Sequence, residues 1–83
     1  MDLLKPRDEP RYDVAITFNT DRLPIAGYMP VREYRRMMKD IRKQNAGNAY
    51  EMIIDGHVAE MLFPITEVDT VTALPEVKER TTQ

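Results

Sequence analysis

The stretch VREYRRMMKDIRKQ, Val31 to Gln44, decides the architecture of this chain. Val31, Tyr34, Met37, Met38 and Ile41 recur three and four residues apart. They make one apolar stripe, the spacing of an amphipathic helix. Pro30 stands at the first turn, where a missing N–H is harmless. Glu33 lies near the positive N-terminal end, and Arg42 and Lys43 near the negative C-terminal end, as the helix macrodipole favours. Glu33–Arg36 and Arg36–Asp40 are spaced to pair along the surface. Asn45-Ala46-Gly47-Asn48 supplies a stop. The predicted rod is ~21 Å long.

A helix with one apolar stripe must bury it against something, and the flanking sequence supplies strands. Upstream, Tyr12, Val14, Ile16 and Phe18 alternate with Asp13, Ala15 and Thr17, the period of a half-buried strand. Asn19-Thr20-Asp21 turns the chain. Leu23–Ala26 predicts a second, short strand that Gly27 ends. Pro24 cannot donate to a ladder, so this strand is expected at a sheet edge. Downstream, Tyr50–Ile54 and Val58–Phe63 flank Asp55-Gly56, a strong hairpin signal. A two-residue turn there sets Glu51 opposite Glu60, an unfavourable like-charge pair. A turn at Gly56-His57 instead pairs Met52 with Met61 and Tyr50 with Phe63. Propensity favours the first register and side-chain pairing the second, and the sequence leaves both open. Pro64 closes the hairpin, and Val68–Leu74, rich in β-branched residues, is the last strand before Pro75.

The order is therefore β-β-α-β-β-β, an α+β fold: a small antiparallel sheet with one amphipathic helix packed on one face. Short turns between the last three strands predict a meander. Which strand lies at the edge is left open. Residues 1–11, with Pro6 and Pro10 among charges, read as a flexible arm, residues 12–75 as one domain, and residues 76–83 as a polar tail. Eighty-three residues allow no second core. An apolar content of 42% with 31% charged residues suits a folded domain rather than a disordered segment. No apolar run approaches the ~20 residues that cross a bilayer, so no membrane partner is expected. The segment Met1-Asp2-Leu3-Leu4-Lys5-Pro6 does not read as a secretory leader, and the chain contains no cysteine; both point to the cytoplasm.

The residue inventory restricts the chemistry. Without serine, cysteine or tryptophan, and with a single histidine, the chain offers neither a Ser-His-Asp nor a Cys-His nucleophile. Gly27, Gly47 and Gly56 stand far apart, so no phosphate loop is present. Asp55, His57 and Glu60 lie close in sequence, but a hairpin alternates its side chains. They read as a turn residue and two solvated groups. No catalytic residue, metal or cofactor is expected.

Charge is the more informative pattern. Net charge is −2, yet residues 31–44 hold six basic and two acidic groups, and residues 45–83 two basic and seven acidic. On the predicted helix Arg32, Arg36, Lys39 and Lys43 fall together opposite the apolar stripe, flanked by Arg35 and Arg42. The simplest reading is a solvated helix face. The sharper one is a non-catalytic protein–protein interaction module, a regulator or inhibitor of a partner or a component of an assembly, with these six side chains steering and rim-pairing. The alternative is a nucleic-acid-binding regulator with the same face on phosphates. An uncovered Val68–Leu74 edge would also let the chain pair with its twin, so a homodimer is expected. Met37, Met38, Met52 and Met61 read as core filler, with Met37 at the margin of the stripe and best placed to reach a partner.

Overall fold

A computed structural model of the chain describes residues 6–45 and 49–76. Among them are strands β1 (Arg11–Phe18) and β2 (Ile25–Pro30), helix α1 (Val31–Lys43), strands β3 (Ala49–Ile54) and β4 (His57–Leu62), a 3-10 turn at Ile65–Glu67, and strand β5 (Val68–Pro75). The five strands form one antiparallel sheet in the order β4-β3-β2-β1-β5, with α1 against one face. The architecture is α+β, and the element order is the one the sequence predicts.

Alternation sorts the core. Val14, Ile16 and Phe18 of β1, Met29 of β2, and Tyr50 and Met52 of β3 meet Met37, Phe63 and Ile65 in one buried cluster. Phe18 and Phe63 touch edge to face, with centroids 5.4 Å apart. Two strands lie between theirs in the sheet, so this contact requires the sheet to curl until the ends of β1 and β4 meet.

That curl corrects two expectations. The last three strands are not a meander: β5 leaves the hairpin and pairs with β1 on the far flank. The chain makes the crossing because Ile65 is buried beneath the curl, and because the Glu67 carbonyl accepts the Asn19 amide at 2.8 Å. From there β5 runs the full length of β1, with Val71 opposite Ile16 and Ala73 opposite Val14. Nor is β2 an edge. Pro24 stands just ahead of it, and Gly27 lies within the strand rather than ending it. A Cβ at Gly27 would sit 2.8 Å from the Ile53 carbonyl oxygen, so the glycine is what lets β2 and β3 approach. The β2–β3 ladder is short, with Tyr28 opposite Ile53 its one registered pair.

The hairpin takes the Asp55-Gly56 turn. Both residues have positive φ, 53° and 80°, as a type I′ turn requires. Glu51 therefore does face Glu60. The repulsion is relieved from outside the hairpin, since Arg32 reaches Glu51 at 3.1 Å.

Helix α1 stops one residue earlier than predicted. Gln44 adopts the left-handed conformation (φ 54°), and the amides of Gln44 and Asn45 return to the carbonyls of Ile41 and Asp40. This is a Schellman closure with glutamine where glycine is usual. Of the expected Asn45–Asn48 stop, residues 46–48 lie outside the described residues. Residues 1–5 of the expected arm and 77–83 of the tail also lie outside them. Residues 6–10 pack along the start of α1: Pro10 accepts the Val31 amide, and Glu9 meets Arg32.

Candidate interaction surface

Helix α1 sits over the sheet rotated from the orientation its apolar stripe implies. Met37 is wholly buried at the centre of its inner face, and Asp40 is buried beside it. Met37 is thus the anchor of the helix and not the residue free to reach a partner. Tyr34, Met38 and Ile41 are only half-buried. The rotation follows from what β3 needs. Beyond Tyr28–Ile53, no strand among the described residues pairs with β3 on its β2 side, and α1 satisfies its backbone instead. Glu33 Oε1 accepts the Glu51 amide at 2.9 Å, and Arg36 donates to the Ala49 carbonyl at 2.6 Å. Tyr50 Oη donates to Asp40 Oδ2 at 2.6 Å, and Asn45 Nδ2 to Asp40 Oδ1 at 2.9 Å. One flank of α1, Glu33/Arg36/Asp40, is therefore tied to β3. The other, Val31/Tyr34/Met38/Ile41, leans towards β1 and the 3-10 turn, with Tyr34 edge to face on Tyr12 at 4.8 Å.

This arrangement divides the six predicted site residues. Arg32 is engaged by Glu9, Glu33 and Glu51, at 3.1, 3.3 and 3.1 Å. The Glu9 carboxylate, aided by Glu51, raises its pKa above the usual guanidinium value. Arg36 bonds Glu33 at 2.7 Å and lies 4.7 Å from the centre of the Tyr50 ring. The Glu33 hydrogen bond raises its pKa also. Burial pushes the Glu33 carboxyl up, but the Arg36 hydrogen bond and the Glu51 amide more than offset this, and its pKa is lowered. These two arginines serve the fold.

Arg35, Lys39, Arg42 and Lys43 are different. All four are exposed, and none has an acidic partner among the described residues. Arg35, Lys39 and Arg42 follow at i, i+4 and i+7, one line along the solvent face spanning ~10 Å. Elsewhere Arg11 pairs with Glu76 and Arg22 with Glu67, while Arg7 is exposed without such a partner among the described residues. Sequence periodicity found all six cations and the Glu33–Arg36 pair but missed Glu9 and Glu51, which engage Arg32. The i,i+3 spacing of Glu33 and Arg36 was the one legible sign.

The acid-rich hairpin does not gather into a site. His57 pairs with Ile54 and Glu60 with Glu51, three residues apart on β4, so their side chains leave opposite faces of the sheet. Among the described residues no three His, Asp or Glu side chains are grouped to hold a metal ion. No described helix is long and apolar enough to cross a membrane. The chain matches no protein-family model, and no curated protein or solved structure is significantly similar to it.

Proposed function

We propose that this chain is a non-catalytic, cytoplasmic interaction module that docks on an acidic protein surface through the solvent face of α1, as a regulator or as part of an assembly. The observation that supports this reading is the row Arg35, Lys39, Arg42 with Lys43 beside it, left without acidic partners among the described residues. A protein partner fits this row better than nucleic acid does. The row is short, ~10 Å, enough for about three phosphates at ~3.4 Å of rise each. No exposed aromatic ring stands beside it to stack a base, since Tyr34 is half-buried against Tyr12.

The test is capture from host lysate with the tagged full chain and with its Arg35→Glu/Lys39→Glu/Arg42→Glu variant, each with and without nuclease. A stoichiometric protein that survives nuclease, is lost from the variant and releases at raised salt supports the reading. Material lost on nuclease treatment moves the row onto nucleic acid. A partner retained equally by the variant removes the row from the interface.

A further inference from the structure

Among the described residues, strand β5 forms one flank of the sheet, with β1 its single neighbour. The amides of Thr70 and Glu76 point inward, where Thr17 Oγ1 and the Arg11 carbonyl accept them at 3.2 and 3.3 Å. Alternation along the strand then turns the N–H and C=O groups of Val71 and Ala73 outward, ahead of the register shift at Asp69. Pro75 at the strand's end offers a carbonyl and no N–H. Proteins ordinarily guard such an edge with lysine, internal proline or charge. In β5 the sequence VDTVTALP places one charge near the start and its proline at the last position. The opposite flank, β4, carries His57 and Glu60.

The edge is also complementary to itself. In an antiparallel pair centred on Thr72, Val71 faces Ala73 of a second copy, and each exchanges both backbone hydrogen bonds with the other. By symmetry the exchange happens twice. Pro75 lies beyond these exchanges, so its missing N–H breaks none of them. Thr72 meets Thr72, and no charge opposes a charge. A second feature lies on the same side. The half-buried flank of α1 borders shallow clefts beside β5, one of about 420 Å³ between Val31, Tyr12 and Pro75, the other of about 230 Å³ between Ile41, Ile65 and Val68.

We infer that β5 pairs with β5 of a second copy in this register, joining two chains into one continuous sheet that carries both helices on the same face. The contact is isologous and closes as a dimer. It deepens the interaction-module reading, because the dimer presents two basic rows to a partner, yet it depends on none of their residues.

The experiment is sedimentation equilibrium of the full chain over a rising concentration series. The wild type is expected as a dimer. Thr72→Lys sets two lysines opposite each other and weakens self-association by about a hundredfold. Thr72 is exposed, so the variant should keep its circular dichroism and unfolding curve. Mixing Thr72→Lys with Thr72→Glu restores the dimer. Because the chain has no cysteine, Thr72→Cys gives an intermolecular disulfide on mild oxidation, whereas Leu62→Cys, exposed on the opposite flank of the sheet, does not. The triple reversal of the basic row leaves the dimer intact, which separates this inference from the docking reading. A wild type that stays monomeric throughout, or a dimer indifferent to Thr72→Lys, overturns it.

Discussion

The Glu33 carboxylate accepts the backbone amide of Glu51 at 2.9 Å, so a helix side chain stands where a neighbouring strand would otherwise be. Arg36 completes the substitution at the Ala49 carbonyl. The sheet can then splay between β2 and β3 without stranding buried backbone groups, which would cost about 1–3 kcal/mol each.

Glu33 should therefore give the fold a specific acid dependence. Its folded pKa lies below the ordinary glutamate value. A depressed carboxyl contributes stability that is fully present above the unfolded pKa and is lost as pH falls through the folded one. Glu33→Gln keeps an acceptor for the Glu51 amide but cannot titrate. Urea unfolding should show the variant less stable than wild type at pH 7, with the gap closing as pH falls below the ordinary glutamate pKa. A gap independent of pH would refute the role given to the charge.

The division of the cations predicts opposite outcomes for two neighbouring reversals. Arg36→Glu breaks the Glu33 pair, the Ala49 hydrogen bond and the Tyr50 contact, and should cost about 2–4 kcal/mol. Lys39→Glu touches none of these and should stay within about 0.5 kcal/mol of wild type. Denaturant midpoints of the two proteins settle the comparison.

At Gly27 the constraint is space rather than dihedral freedom. Its added Cβ would meet the Ile53 carbonyl at 2.8 Å and Ile54 Cγ1 at 3.0 Å. Gly27→Ala should cost about 1–3 kcal/mol, because backbone must move to admit a single methyl group. Chemical-shift changes confined to β2 and β3, with β5 undisturbed, would locate the strain.

Gln44 offers the reverse experiment. It holds a left-handed conformation that disfavours a side chain by about 1–2 kcal/mol. Glycine there removes that cost but adds unfolded-state entropy, so Gln44→Gly should stabilise by about 0.5–1 kcal/mol, read as a rise in Tm.

How much of this was readable beforehand depends on the range of the cause. The helix, β1 and the two strands of the hairpin rest on local periodicity, and they stand close to where the sequence puts them. The hairpin register was undecidable locally because its arbiter, Arg32, lies nineteen residues before Glu51. Gly27 read as a stop because nothing near it in sequence announces the Ile53 carbonyl. β5 was assigned to the wrong neighbour for the same reason: the Thr17–Thr70 hydroxyl contact at 2.6 Å joins residues 53 apart. Among the cations, periodicity grouped Arg32 and Arg36 with the rest. The partners that engage them, Glu9 and Glu51 at Arg32 and the Ala49 carbonyl at Arg36, are brought near only by the folded chain.

The Arg11–Glu76 contact has a separate consequence. The Glu76 amide bonds the Arg11 carbonyl at 3.3 Å, and the two side chains form an ion pair at 3.5 Å. Entry to and exit from the sheet are thus adjacent. A domain whose two ends meet can be spliced into a loop of an unrelated host protein without prising that loop apart. The same closeness permits a short linker from residue 76 back to residue 11, with fresh termini opened at Asp55-Gly56.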